Sequence, residues 1–182
     1  MIIVEGPDGA GKTTLVKRLQ EQTGLSLHPR FVGSDGVGDR SEIFRKMQLD
    51  TQSMIEMPVQ IYDRHPLISE YVYGPACRGK LPVEWTTPQA RLLRSLVAER
   101  SLVVWCMPSL DTVRANLSAG RDMIGVDENI ANIYASYQTI RQFWQGRSFT
   151  HDYEHMNATH GLIESFVDIE TTYRLDFMRE YK

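Results

Sequence analysis

Nine residues near the start constrain this chain more than any others: Gly6-Pro7-Asp8-Gly9-Ala10-Gly11-Lys12-Thr13-Thr14, directly after the apolar run Met1-Ile2-Ile3-Val4. They fit G-x-x-x-x-G-K-[ST] between a strand and a helix, the context in which that pattern folds as a phosphate-binding loop. Glycines let the backbone turn so that the N–H groups of Gly6, Asp8, Gly9, Ala10 and Gly11 converge on one concave site. That site lies at a helix N-terminus, where the dipole also favours an anion. Lys12 is then placed to reach the β and γ phosphates, with Thr14 beside it, and the Thr13 hydroxyl to ligate the accompanying magnesium ion. ATP and Mg2+ are the cofactors these residues lead one to expect.

The rest of the chain alternates strand and helix patterns. Lys12 to Glu21 carries Leu15, Val16 and Leu19 at helical spacing, and Leu25 to His28 reads as a short strand stopped by Pro29. Arg30 to Asp39 is a glycine-rich loop after that strand, which makes Arg30 a candidate substrate contact. Ser41 to Met57 is predicted helical. Pro58 to Tyr62 is a strand ending in Asp63-Arg64-His65-Pro66, a charged pair at the carboxyl end, the edge where open α/β sheets bind ligands.

Pro66 suits a first helical turn, and on that helix Ser69, Glu70 and Tyr73 continue one polar side. Gly74 to Trp85 is expected to be a loop bearing a basic patch, Arg78 and Lys80. A helix follows to Glu99, then Leu102 to Met107, an uninterrupted apolar run of the kind that is buried on both faces. After a short helix to about Leu117 comes a glycine-flanked segment, about 118–127, holding Arg121. Asp127 to Gln145 has a strong apolar stripe, Arg147 to Tyr153 a last strand pattern, and Gly161 to Tyr181 a closing helix. Alternation of this kind gives one α/β domain over 1–182, a parallel sheet of about five strands flanked by helices, with right-handed crossovers.

With 182 residues the chain is long enough to bury a substantial core. Its net charge of -3 and pI near 6.0 argue against non-specific nucleic-acid binding as its main role. Two cysteines, Cys77 and Cys106, have no zinc or disulfide spacing, which suits a reducing cytoplasm. Neither a signal peptide nor a membrane span is expected. His151-Asp152-Tyr153-Glu154-His155 lacks the order of a helical zinc motif and is read as non-metal.

A phosphate loop alone serves a GTPase, an ATPase motor or a kinase, yet there is no guanine-reading Asn-Lys-x-Asp element and no apolar strand ending in an Asp-Glu pair. What is present is Asp8 inside the loop, Asp63-Arg64 at a later strand end, and Arg121 before a long helix. In these three features, with Ser69 and Gly74 at matching offsets, the chain resembles the thymidylate kinase family of nucleoside and nucleotide kinases, from the first strand to about Trp144. The resemblance implies a three-layer P-loop kinase fold with a small lid. Lys12 and the loop amides would hold the ATP phosphates, and Thr13 with Asp63 the magnesium. It further implies that Asp8 approaches the acceptor, that Arg64 clamps the acceptor phosphate, and that Arg121 closes over the transferred group.

Two departures bear on the acceptor. The family's Thr-Arg-Glu-Pro-Gly-Gly stretch is replaced by His28-Pro29-Arg30-Phe31-Val32-Gly33-Ser34-Asp35, so thymine specificity does not follow. Glu70 adds a second carboxylate one turn beyond Asp63, and a carboxylate is what a hydroxyl acceptor profits from. The expected partner is therefore a small-molecule nucleotide, a (deoxy)nucleoside monophosphate. A hydroxyl acceptor, either a deoxynucleoside or, as in related phage enzymes, 5-hydroxymethyluracil in DNA, remains the alternative. A nucleotide-binding regulatory switch is a third reading. A homodimer is allowed, and a membrane partner is not expected.

Overall fold

Two of the strands are buried end to end, and they sit at the centre. β1 (Ile2–Glu5) is flanked on one side by β2 (Ile61–Asp63) and on the other by β3 (Leu102–Trp105), with β4 (Arg147–Thr150) beyond, all parallel. Every residue of β1 and β3 is buried, whereas β4 is mostly exposed and forms the edge. A strand hydrogen-bonded on both sides and covered on both faces accepts a polar side chain only where it finds partners, as Glu5 does, which is why the apolar runs became the middle of the sheet. The computed structural model describes residues 1–32, 39–53, 58–117, 125–151, 153 and 156–180, with the side chains of 156 and 173–180 left aside.

Between the strands run α1 (Lys12–Thr23), α2 (Arg40–Ser53), α3 (Pro66–Arg78), α4 (Pro88–Arg100), α5 (Leu110–Asn116), α6 (Val126–Gln142) and, after β4, α7 (Met156–Glu180). α3 packs on both α4 and α6, and α1 packs on β2 and α7. The core they enclose includes Leu15, Leu19, Met47, Leu67, Trp85, Trp105, Ile133 and Tyr137, all nearly inaccessible. No helix among the described residues is long and apolar enough to cross a membrane.

The structure corrects two sequence expectations. The described residues hold four strands, not five: the segment predicted over Leu25 to His28 touches β2 through one parallel bridge, Leu27 to Ile61. Backbone bonds from His28 to Ile61 and from Ile61 to Ser26 frame that bridge, and Pro29, which cannot donate, follows at once. The predicted loop over Gly74 to Trp85 is helical through Arg78, with Pro75 inside α3. Gly74 lets the segment after the helix pack closely: a Cβ there would lie 3.0 Å from the Lys80 carbonyl oxygen. Arg78 thus belongs to a helix and not to a loop patch. In α2 the helix ends at Ser53 within the described residues, and 54–57 of the predicted Ser41 to Met57 lie outside them.

Parallel pairing puts the carboxyl ends of β1, β2 and β3 on one edge. Strand order reverses around β1, and the crevice beyond the strand ends at such a reversal is where open α/β sheets place ligands. The phosphate loop, Asp63-Arg64 and Cys106-Met107 all emerge there.

α4 begins at a conventional cap: the Thr87 side chain accepts a hydrogen bond from the Ala90 amide at 3.1 Å. Thr87→Ala is expected to lower stability by about 1 kcal/mol in urea denaturation, the usual worth of such a cap, with no change in nucleotide binding. An unchanged midpoint would show that the cap contributes nothing.

Candidate functional site

The phosphate loop follows from a packing constraint. Gly6 has φ +147°, and a Cβ built there would lie 2.2 Å from the Cys106 carbonyl oxygen after β3, so only glycine brings the loop this close to the neighbouring strand. Gly11, in the left-handed region at φ 79°, stands at the start of α1, and no side chain caps that helix. The first-turn amides of α1 therefore remain available to an anion. Thr13 and Thr14 are exposed at this helix start. Asn116 at the end of α5 donates to the Gly9 carbonyl at 3.0 Å, and the Tyr153 hydroxyl donates to the Ala10 carbonyl. Both tie down the loop's outer side.

Lys12 curls back and donates from Nζ to the Pro7 carbonyl at 2.5 Å. Burial, with Arg64 nearby, lowers its pKa to about 8, while Asp8 and Asp63 pull the other way. A buried ammonium bonded, among the described residues, to a carbonyl is poised for a polyanion, which would restore the charge partner that burial denies it.

Across from the loop, the turn between β2 and α3 holds Arg64 at φ 71°, the only described non-glycine residue with positive φ. A left-handed backbone at such a residue costs about 1 kcal/mol or more. Hydrogen bonds hold it on either side: the Arg64 amide donates to the Val4 carbonyl at 3.1 Å, and the His65 amide donates to Glu5 Oε1 at 2.7 Å. His65 then caps α3, its Nδ1 accepting from the Leu67 amide.

Thrown forward by this turn, the Arg64 guanidinium meets Asp8 Oδ1 at 2.6 Å and the Tyr73 hydroxyl at 2.7 Å. Tyr73 also donates to Asp8 Oδ2 at 2.9 Å, and the guanidinium carbon lies 4.7 Å from the Tyr73 ring centre. Burial alone would raise the Asp8 pKa, yet Arg64 and Lys12 outweigh it and hold the carboxyl below its usual value. Asp8 is therefore ionised and joins the two halves of the site. Burial works against the charge on Arg64, but the surrounding tyrosines, Asp8 and Glu5 keep the guanidinium protonated.

Two cavities meet at this turn. One, about 540 Å³, is bounded by the loop residues Asp8, Gly9 and Gly11 through Thr14, together with Asn116. The other, about 160 Å³, is bounded by Phe31, Arg40, Ile43, Pro66, Ser69 and Glu70 among others. Arg30, Asp63 and Arg64 line both. Arg30 is paired with Asp63 Oδ2, while among the described residues Asp63 Oδ1 and Arg64 Nε are buried without a hydrogen-bond partner.

Glu70 is shared between Arg40, at 2.8 Å, and Arg78. It is thus a doubly paired anion and not the free carboxylate its position in the sequence suggests. Ser69 lines the smaller cavity, its hydroxyl donating to the His65 carbonyl at 3.2 Å.

Of the residues singled out from the sequence, the structure gathers the loop, Asp8, Lys12, Thr13, Thr14, Arg30, Asp63, Arg64, Ser69 and Glu70 around these two cavities. Tyr73 is placed differently: it is 2% exposed, and its hydroxyl is occupied by Asp8 and Arg64, so it supports the site from behind. Arg121 and positions 118–124 of the expected lid lie outside the described residues. Arg114, on the helix before that segment, is exposed and 3.7 Å from Asp111 on the same helix. His151 is buried against the Thr159 hydroxyl, and 152, 154 and 155 of the rejected metal motif are outside the described residues.

Glu5, Arg40, Asn116 and Tyr137 escaped sequence reasoning. Glu5 is inaccessible and receives the His65 amide and the Tyr137 hydroxyl at 2.9 Å. A glutamate closing an apolar strand was the one available signal, since an acid is rarely buried without partners. Arg40 sits at the start of a helix whose polar middle offered none.

Searches of the sequence find no matching family model, and no curated protein matches either. Solved structures do share the fold. A structure of the YorR protein of Bacillus subtilis in complex with phosphorylated GDP superposes with a TM-score of 0.67 at 18% identity, over 94% of this chain and 97% of that one. Deoxyadenosine kinase from M. mycoides, with the products dCMP and a flexible dCDP bound, gives a TM-score of 0.58 at 16% identity over 92% and 97%. The same enzyme with bound dATP gives 0.57 at 16% identity over 92% and 98%. The architecture is that of the P-loop kinases.

The buried charges here set opposing pH slopes. Burial raises Glu5 from its ordinary value near 4.5 to about 7, so between those values the folded chain keeps a proton that the unfolded chain has released, and stability falls as pH rises. Burial lowers His65 from 6.5 to about 4, so the unfolded chain takes up a proton first on acidification, and stability falls as pH drops. Glu5→Gln removes the first slope. Its denaturation midpoint should climb from pH 4.5 to 6.5 more steeply than that of the unmodified chain, and equal slopes would contradict the assignment.

Proposed function

We propose that this chain is an ATP- and Mg2+-dependent phosphotransferase whose acceptor is a (deoxy)nucleoside monophosphate. The observation that carries this reading is the common wall: a phosphate loop on one side, a second, smaller cavity on the other, and Arg30, Asp63 and Arg64 between them. Phosphoryl transfer asks a protein chiefly to hold two phosphates in line and to neutralise the equatorial oxygens. In such a transfer an acceptor phosphate oxygen bonds to the γ phosphorus as the bond to the bridging oxygen breaks, and ADP leaves. Arg64, charged and fixed by Asp8, stands where both phosphates would be felt.

The residues present fit the cofactors. The uncapped start of α1 and the underpaired Lys12 suit a polyphosphate, and the exposed Thr13 hydroxyl with the unpartnered Asp63 Oδ1 supplies hard oxygen donors for magnesium. Bound there, the metal would supply neutralisation of charge on the transferred group.

The charge balance of the smaller cavity supports an anionic acceptor. Glu70 is held by two arginines and Asp63 by a third, so neither carboxylate repels a phosphate unscreened. Phe31, Ile43 and Pro66 offer an apolar side for a base. The likeness to structures described with dCMP, dCDP and phosphorylated GDP is consistent with a nucleotide acceptor. One observation favours a hydroxyl acceptor instead: Asp63 Oδ1 is free to take a proton.

An acceptor panel separates the readings. With ATP and Mg2+, monophosphates should yield diphosphates, and Arg64→Ala or Lys12→Met should each cut kcat/KM by about a hundredfold or more. Transfer only to nucleosides or hydroxymethylated DNA, abolished in Asp63→Asn, would replace the monophosphate reading. ATP binding with no acceptor turnover would refute both and leave a nucleotide-binding switch.

A further inference from the structure

We propose that Glu5 is a positioning residue: its two carboxylate oxygens bind the amide that follows Arg64 and the Tyr137 hydroxyl of α6, and so fix where the Arg64 guanidinium stands. The inference rests on reading Arg64 as the group that engages the acceptor phosphate.

The geometry is specific. Glu5 ends β1, one residue before the phosphate loop, and has no exposed surface. Its Oε1 accepts from the His65 amide at 2.7 Å, and its Oε2 accepts from the Tyr137 hydroxyl at 2.9 Å. The His65 amide belongs to a turn whose central residue, Arg64, has φ 71°. Without an acceptor beneath it, that amide would be buried and unpaired, and the turn could relax toward ordinary backbone angles. Relaxation would swing the Arg64 side chain away from Asp8 and off the common wall, because the direction of a side chain follows its backbone angles.

Tyr137 completes the device from a third element. Its ring packs edge-on to Tyr73, with centres 6.2 Å apart and planes at 74°, and Tyr73 is the residue whose hydroxyl holds both Arg64 and Asp8. Glu5 thus steadies Arg64 twice, directly through the turn and indirectly by orienting the aromatic pair behind the guanidinium. A carboxylate suits this place better than an apolar side chain, since it accepts two hydrogen bonds on opposite sides and lies among Arg64 and Lys12. Burial is not compensated fully and keeps the carboxyl close to neutral pH.

The test compares Glu5→Ala, Glu5→Gln, Tyr137→Phe and Arg64→Ala with the double variant Glu5→Gln/Arg64→Ala, using ATP and the monophosphate turned over best. Glu5→Ala should raise the acceptor KM by about tenfold and lower kcat, with the KM for ATP within about twofold. Glu5→Gln, which retains a carbonyl for the His65 amide, should recover part of that loss, and Tyr137→Phe should move the same parameters less. In the Arg64→Ala background, Glu5→Gln should change kcat/KM by less than about twofold.

Multiplying losses in the double variant, or a change falling on the KM for ATP, would overturn the proposal. Should Glu5→Ala fail to fold, the milder variants decide. A second readout needs no turnover: the His65 amide proton, bonded to a carboxylate, should resonate downfield and move upfield in Glu5→Gln, with a smaller move in Tyr137→Phe. An unmoved resonance in both would refute the contact. Absence of turnover in the unmodified chain, by contrast, would count against the kinase reading alone.

Discussion

The contact between Asp8 and Arg64 is the interaction on which the rest of the site depends. Asp8 belongs to the phosphate loop after β1 and Arg64 to the turn after β2, 56 residues apart, and parallel pairing of the two strands brings their carboxyl ends together. A parallel sheet gathers loops from distant parts of a chain on one edge. Here the gathering is made rigid by an ion pair that Tyr73 bonds from both ends. Removing either partner would leave the other charge partly buried and unmatched, the costly way to break such a pair.

Around that contact the charges are arranged with little slack. Lys12, Arg30, Arg40, Arg64 and Arg78 converge on Asp8, Asp63 and Glu70, and most find a partner within the protein. Among the described residues, Asp63 Oδ1, Arg64 Nε and Arg78 Nη1 are the buried atoms of this cluster without a hydrogen-bond partner, and Asp63 and Arg64 are residues that line both cavities. Unmatched polar atoms are rare in a folded interior. Arg30, Asp63 and Arg64, which line both cavities, give the site a direction, from the loop toward Phe31 and Ser69. The smaller cavity is lined both by apolar residues, Phe31, Ile43 and Pro66, and by arginines, a mixture that suits a ligand with an apolar part and a charged end.

Much of this was legible in the sequence, for identifiable reasons. The phosphate loop is local: its glycines, Lys12 and Thr13 act within one turn of chain, so spacing alone reveals them. The parallel sheet followed from strands and helices that alternate, with unbroken apolar runs at β1 and β3. What spacing could not reveal was partnership at a distance. Glu70 read as a spare carboxylate because its arginines, Arg40 and Arg78, lie on another helix and two turns onward. Tyr73 shares a helical face with Ser69, but α3 is turned so that this end of the face is covered by α6 and the loop. Glu5 was invisible because nothing in a strand pattern shows that an amide 60 residues later needs an acceptor. α3 outran its predicted end because Gly74 and Pro75, a loop signal in the sequence, lie inside the helix.

The central claim is that polyphosphate and acceptor occupy the two cavities from opposite sides of Arg64. The most direct measurement is a crystal structure of the chain with a bisubstrate compound, adenosine joined to a deoxynucleoside through a chain of phosphates. The phosphates should run from the Gly9–Thr14 backbone past Arg64, with the deoxynucleoside resting between Phe31 and Ser69. Both nucleosides on the Asn116 side of Arg64, with the Phe31 cavity empty, would contradict the account.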